Sequence, residues 1–414
     1  MSAENTFELE LTSMAHGGSA IGRHDGRTIF VPYTLPGERI IARIVQDRGR
    51  FAIAEVVKIV SPSPQRVEPR CPYFGPGLCG GCQLQHIDYA AQLELKQSVV
   101  KDQMARIGGF QEITVLPMLA SPDEYDYRTH VTLHALKDGQ LGFVSTDDDN
   151  LIVIDECHII RPPLQELLNV IDFAGFEALD RVRLQVGSEE DDLMIGLSTV
   201  DDEVPELEVD FPASISFLSS EKPPQPLIGK PSVNYRVKDR DFMVRAGGFF
   251  QVNLQQAEKL VDLVLERLDL QGTERVLDLY SGVGLFSAFI AERAAWVTGV
   301  EAYAPAVEDA AENLSAFENI DLFEGAVEEV LSQLEGSYDA VVLDPPRAGL
   351  DGVVVDALVA LAPAKIVYVS CDLATFARDA KRLAAQGYRL HEIQPVDMFP
   401  QTASIELVSL FTRE

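Results

Sequence analysis

From about residue 246 onward, short apolar runs of strand character alternate with stretches of helical periodicity. The runs lie at 276–279, 297–300, 340–343, 366–369 and 407–411. A strand that is apolar throughout is buried on both faces, and parallel strands need crossover segments between them, usually helices. The alternation therefore predicts a doubly wound, Rossmann-like α/β unit. Such a fold places its ligands at the carboxyl edge of the sheet.

The front of the chain has a different rhythm. Stretches at 28–31, 39–45 and 51–59 alternate apolar and polar residues, and are separated by Gly-rich turns such as His16-Gly17-Gly18 and Pro36-Gly37. This spacing predicts a small five-stranded barrel of the oligonucleotide-binding kind. Ser61-Pro62-Ser63-Pro64 reads as a linker, followed by a Cys/Gly-rich knot at 71–86. A helix is predicted near 89–107, with Leu95, Val99 and Ile107 on one face, and the C-terminal unit is its expected packing partner. From 113 to 240 the pattern is mixed and acidic. The expected division is a barrel over 1–64, a central α+β domain over 65–240 and the α/β unit over 241–414.

Charge bears on what such a chain can bind. The net charge is −31, which argues against a general polyanion binder. The imbalance is local, however: residues 1–110 hold 12 Lys+Arg and 11 Asp+Glu, so the acidity lies in the remainder. A neutral front on an acidic body suits local, salt-sensitive contact with RNA. Residues 1–10 have neither a basic start nor an apolar run, and no segment has the length of uncharged apolar residues that a bilayer requires. The expectation is a cytoplasmic, monomeric protein with no membrane contact.

The strand at 275–279 ends in Tyr280-Ser281-Gly282-Val283-Gly284, a glycine turn opening a helix. The third glycine of a dinucleotide fingerprint is absent, since position 287 is Ser. Asp278 stands where it would repel a pyrophosphate. S-adenosylmethionine has no phosphate and carries a cationic amino group, so the loop suits it better than a nicotinamide cofactor. Glu301, ending the next strand, is placed to accept hydrogen bonds from ribose hydroxyls.

Five cysteines complete the chemistry-bearing set. Cys71, Cys79 and Cys82 form a compact glycine-flanked cluster, and Cys157 in Glu156-Cys157-His158 is the remaining candidate outside the C-terminal unit. Spacing alone leaves structural zinc and an iron–sulfur cluster evenly balanced. Cys371 ends an apolar strand at the expected ligand edge. Asp344-Pro345-Pro346-Arg347 ends the preceding predicted strand, and Glu406 opens the last one. A thiol, two carboxylates and a guanidinium at one rim can serve as nucleophile, base and electrostatic partners.

Together these motifs make the chain resemble the RNA uracil-5-methyltransferases, in particular the ribosomal branch with an N-terminal TRAM domain and a [4Fe–4S] cluster. The resemblance rests on Cys71-Pro72-Tyr73-Phe74, Cys79-Gly80-Gly81-Cys82-Gln83-Leu84-Gln85-His86, Phe249-Phe250-Gln251-Val252-Asn253, Asp344-Pro345-Pro346-Arg347-Ala348-Gly349 and Tyr368-Val369-Ser370-Cys371-Asp372. It implies that Cys71, Cys79, Cys82 and Cys157 ligate the cluster. It also implies that Gln251, Tyr280, Gly282, Glu301 and Asp344 contact S-adenosylmethionine, that Cys371 is the nucleophile, and that Glu406 is the proton acceptor.

The implied reaction is methylation of C5 of a uridine in ribosomal RNA through a covalent Cys–C6 adduct. Methylation of transfer RNA is the alternative enzyme, and a non-catalytic RNA-binding paralogue the alternative of another class. The chain departs from the family pattern at Ser404 and Gln401, where His is frequent, at Leu285 in place of Asn, and at Thr129-His130 in place of Asn-Lys.

Overall fold

The computed structural model describes residues 6–146, 150–205, 211–334 and 336–413. Strands Thr6–Met14, Ala20–His24, Arg27–Val31, Arg39–Asp47 and Phe51–Ser61 close the expected barrel, the last two exchanged in spatial order. Alternation does the work: Leu9, Leu11, Ile29, Val31, Ile40, Ala42, Ala52 and Ala54 point inward and form its core. The buried carboxylate of Glu38 accepts two hydrogen bonds from Arg66, at 2.6 and 2.8 Å, and so ties the linker back to the barrel.

A seven-stranded sheet follows, in the spatial order Gln225–Ile228, Ser214–Phe217, Leu193–Thr199, Leu179–Val186, His130–Ala135, Leu141–Val144 and Leu151–Val153. All its pairings are antiparallel except that of Leu193–Thr199 with Ser214–Phe217. The helix Pro162–Val170 lays Leu164, Leu167 and Leu168 into its core.

The C-terminal unit is an eight-stranded sheet. From one edge it runs Ile320–Glu324, Trp296–Glu301, Arg275–Leu279, Ala340–Leu343, Lys365–Ser370, Glu406–Arg413, Tyr388–Val396 and Thr114–Val115. Successive residues along each strand face different layers. Leu277, Val341 and Leu343 join one core, whereas Val276, Ala340 and Val342 join the other, so helices cover both faces as the apolar runs predicted. One feature departs from an all-parallel sheet. Glu406–Arg413 lies antiparallel between Lys365–Ser370 and Tyr388–Val396.

The helix expected near 89–107 is α-helical only over Tyr89–Gln103; Met104–Gly108 is a π-helical turn ended by Gly109 in the left-handed region. Ile107 is exposed rather than buried. The residues buried along the α-helix are Ala91, Gln92, Lys96, Val99 and Val100. This helix packs beside Leu373–Ala385, on the sheet of the C-terminal unit.

Lys96, only 1% exposed, reaches the carboxylate of Asp397 at 2.6 Å and the carbonyl of Phe399 at 3.2 Å. Burial pushes the Lys96 ammonium toward its neutral form, and Asp397 opposes that push. Removing one partner strands the other charge in the interior. Lys96→Met should therefore destabilise the chain by about 3–5 kcal/mol, and Lys96→Met with Asp397→Leu by much less. Denaturant unfolding of the two variants measures the difference. Equal losses would mean that the ion pair contributes nothing as a pair.

Candidate active site

The antiparallel last strand builds the site. Ser370 pairs with Leu407 across the ladder, so Cys371, the first residue beyond its strand, sits beside Glu406, the first residue of the neighbouring one. On the other side Leu343 pairs with Tyr368, which carries Asp344 and the Pro345-Pro346-Arg347 turn to the same rim. Thiol, carboxylates and guanidinium thus converge as the chain order of the strand ends suggested.

Their environment is costly for charge. Burial, then the charge of Asp344, pushes the Glu406 carboxyl well above the ordinary range, with the Arg347 guanidinium pulling the other way. Asp344 keeps part of its surface open at the rim, yet protein atoms crowd it, and burial with the nearby Asp278 raises it to about 7. Cys371 is pushed up to about 11, first by burial and then by Glu406 and Asp344, against Arg347. At neutral pH the thiol in this arrangement is protonated. A nucleophile here needs either a neutralised carboxylate or an incoming cation beside it.

The glycine turn adjoins this rim. Tyr280 takes a left-handed φ of +63°, and Gly282 and Gly284 follow at +55° and +88°. A Cβ at Gly284 would lie 2.8 Å from Leu314, so the start of the helix Leu285–Ala291 tolerates only glycine. Glu301 accepts hydrogen bonds from Gly282 N at 3.0 Å and Tyr303 N at 2.8 Å. It braces the loop as well as presenting the carboxylate that sequence reasoning assigned to a ribose. Asp278 is fully buried and raised to about 7 by burial; Ser287 Oγ donates to its Oδ2 at 2.6 Å, and its Oδ1 has no partner among the described protein atoms. Gln251 is buried on the segment before the helix Leu254–Leu268, whose first turn is capped by Asn253.

Cys71, Cys79, Cys82 and the sequence-distant Cys157 face one cavity of about 300 Å³, gathered between the loop over 71–85 and the central sheet. Burial raises all four thiols, Cys82 to about 12. The same cavity is lined by Arg128, His130, His158 and Arg183; Arg128 Nε, His130 Nδ1 and Arg183 Nε are buried without a hydrogen-bond partner among the described protein atoms, and His158 Nε2 lies 3.5 Å from Glu156. Two guanidinium N–H donors left open beside four thiols suit an anionic group. Among the described residues no group of three or more His, Cys, Asp or Glu side chains is placed to hold a metal ion.

Sequence reasoning missed several residues of this region. Lys96 and Gln92 stand one helical turn apart on the buried face of Tyr89–Gln103, where an apolar pair is the usual choice. That misplaced polarity was the available signal. Gln401 was seen only as a departure, whereas the structure buries it in a left-handed conformation, φ +68°, hydrogen-bonded to Gln92.

Comparison with known proteins agrees with this architecture. Residues 232–414 match the tRNA (Uracil-5-)-methyltransferase family and residues 5–57 the TRAM domain. An uncharacterized RNA methyltransferase of Streptomyces coelicolor is 35% identical, over 98% of this chain and 92% of its own. One from Halalkalibacterium halodurans is 32% identical, over 98% and 96%. Among solved structures, the Pyrococcus abyssi tRNA (uracil-54, C5)-methyltransferase in complex with S-adenosyl-L-homocysteine superposes with a TM-score of 0.73 at 29% identity, covering 98% of this chain and 99% of that one. No helix among the described residues is long and apolar enough to cross a membrane.

The environment of Cys371 makes a measurable prediction. Its alkylation by iodoacetamide should be slow at neutral pH and rise about tenfold per pH unit toward pH 11. Glu406→Gln removes one of the raising charges and should move the profile to lower pH. A midpoint near that of a free thiol, about 8.5, would mean that Arg347 outweighs both carboxylates.

Proposed function

The chain belongs to the RNA uracil-5-methyltransferases, and on that premise we propose that it methylates C5 of a uridine in ribosomal RNA through a covalent adduct between Cys371 and C6. The observation that carries this reading is the strand register that sets Cys371 beside Glu406, with Asp344 and Arg347 at the same rim. The parts of the enzyme are the barrel over 1–64, the central domain over 65–240 and the methyltransferase domain over 241–414. It acts as a monomer in the cytoplasm.

Uracil C5 is too weak a nucleophile to take a methyl group unaided. The Cys371 thiolate adds to C6, and the C5–C6 π electrons move toward O4 as an enolate. The methyl electrophile is a sulfonium, supplied by S-adenosylmethionine. C5 forms the new carbon–carbon bond as the sulfonium C–S bond breaks, and Glu406 then takes the C5 proton. The freed electron pair restores C5=C6 and expels the thiolate. Burial pushes the carboxyls of Asp344 and Glu406 upward, and both become carboxylates at lower cost once a cationic ligand lies beside them. Tyr280, Gly282, Glu301 and Gln251 complete the cofactor cleft, Glu301 by accepting ribose hydroxyls on lone pairs not used by Gly282 and Tyr303.

In this reading the cysteine cavity holds a [4Fe–4S] cluster on Cys71, Cys79, Cys82 and Cys157. The half-buried Arg128 and Arg183 would balance its negative charge. A second RNA target is favoured by one observation. The likeness to a transfer RNA enzyme spans 98% of this chain, so the barrel does not distinguish ribosomal from transfer RNA. Mapping 5-methyluridine in both RNA pools, with and without the gene, decides between them.

Two experiments test the chemistry. Glu406→Gln should permit addition and methyl transfer but block release, so a protein–RNA complex that survives denaturing gels accumulates; Cys371→Ser should form none. Near wild-type turnover by Glu406→Gln, with nothing trapped, would make Glu406 a structural carboxylate and Asp344 the next base to examine. Anaerobically purified protein should be brown with about four irons per chain. Cys79→Ser or Cys157→Ser should lose the colour and Cys371→Ser keep it. Stoichiometric zinc without iron or sulfide would overturn the cluster.

A further inference from the structure

The loop that follows the cysteine pair and the loop that precedes Glu406 form one hydrogen-bonded unit. Gln83 N and Leu84 N both donate to the carbonyl of Gln401, at 3.1 and 3.0 Å. Ala403 N donates to Gln83 Oε1 at 3.1 Å, while Gln83 Nε2 donates to the carbonyl of Gly80 at 2.7 Å. Gln92, with no exposed surface, bridges the same loops from the helix Tyr89–Gln103. Its Nε2 donates to Ile87 O and Gln401 Oε1, each at 2.9 Å, with Leu84 O also near at 3.2 Å, and its Oε1 accepts from Gln401 N at 3.3 Å. Tyr127 donates to Pro400 O at 3.0 Å from the central domain.

This bracing holds a conformation the loop would not choose alone. A left-handed non-glycine residue such as Gln401 costs of order 1–3 kcal/mol and persists only where its surroundings over-determine it. Its side chain is committed to Gln92, and so acts as a strut rather than as an acid or base. The two neighbours in the site differ in how they depend on this unit. Cys371 follows Lys365–Ser370, which is paired on both sides from Lys365 to Tyr368 and with Glu406–Arg413 as far as Ser370. Glu406 is the first residue of its strand, paired with Val396 on one side, where the chain enters from the braced loop, so a loop displacement is felt there first along the strand.

We propose that Gln83 and Gln92 are positioning residues for Glu406, aiming its carboxylate at the place where the C5 proton leaves. This rests on the reading of Glu406 as the proton acceptor. The prediction is a defect confined to the last chemical step. Cofactor binding and adduct formation use groups outside the braced loop.

The test compares Gln92→Leu, Gln83→Ala and Gln83→Glu with the wild-type chain and Glu406→Gln, on a substrate RNA with S-adenosylmethionine. Gln83→Ala loses only a half-buried side chain and guards against a folding defect in Gln92→Leu. Gln83→Glu keeps the acceptor for Ala403 N. Cofactor affinity by calorimetry should stay within about twofold of wild type, while release of methylated RNA slows about tenfold or more and the covalent complex accumulates in Gln83→Ala and Gln92→Leu. Gln83→Glu should return release to within about threefold of wild type. Wild-type release rates in Gln83→Ala and folded Gln92→Leu would overturn the proposal. So would adduct formation and release falling in equal proportion, since that marks general scaffolding. If the wild-type chain forms no adduct, or Glu406→Gln traps none, the reading of Glu406 fails first and this inference with it; those lanes show which has failed.

Discussion

One reversed strand organises the reactive edge of this protein. In an all-parallel sheet, every strand presents its carboxyl end at the ligand-binding rim, and its first residue lies at the opposite edge. Because Glu406–Arg413 runs antiparallel between two parallel neighbours, its first residue arrives at the rim instead. That is how a carboxylate near the C-terminus comes to stand beside Cys371. Register matters as much as direction. A slip of one residue would turn Glu406 into a core layer and bring Leu407 to its place.

The rim so assembled is electrostatically unfavourable in isolation. Asp278, Asp344 and Glu406 are carboxyls crowded by protein, each pushed upward chiefly by burial. A fold retains such a cluster where a ligand offsets the desolvation, and a cationic donor does so through the same carboxylates that raise the thiol of Cys371. The nearby pair of Lys96 and Asp397 solves a similar problem internally, with the charges 2.6 Å apart and Phe399 O taking a second ammonium proton.

The three parts of the chain meet where the cysteine loop touches the loop before Glu406. The barrel contributes the turn at Gly18, where a Cβ would come within 3.2–3.3 Å of Gln83, Leu84 and Ala403. The central domain contributes Tyr127 and Ile159, which pack with Val252 and against Cys82, Cys157 and Phe399. A cavity of thiols and arginines is therefore joined to the loop before Glu406 through shared backbone hydrogen bonds, not through a flexible linker.

Local pattern alone determined much of this protein. Apolar runs identified the five strands around the site because a strand buried on both faces has little other choice of residues, and the alternating runs of the barrel were equally legible. The glycine turn, Asp278, Glu301 and the cysteine spacing were visible because each reflects a short-range backbone or chemical requirement. Tertiary structure decided the rest. The reversed direction of Glu406–Arg413, the protonated state of Cys371 and the gathering of Cys157 with Cys71, Cys79 and Cys82 depend on neighbours distant in sequence. Gln92 and Lys96 looked out of place on a buried helical face, and their partners, Gln401 and Asp397, lie some three hundred residues away. A buried polar side chain is stable only with a partner, and a partner that distant is supplied by the fold, not by the local pattern.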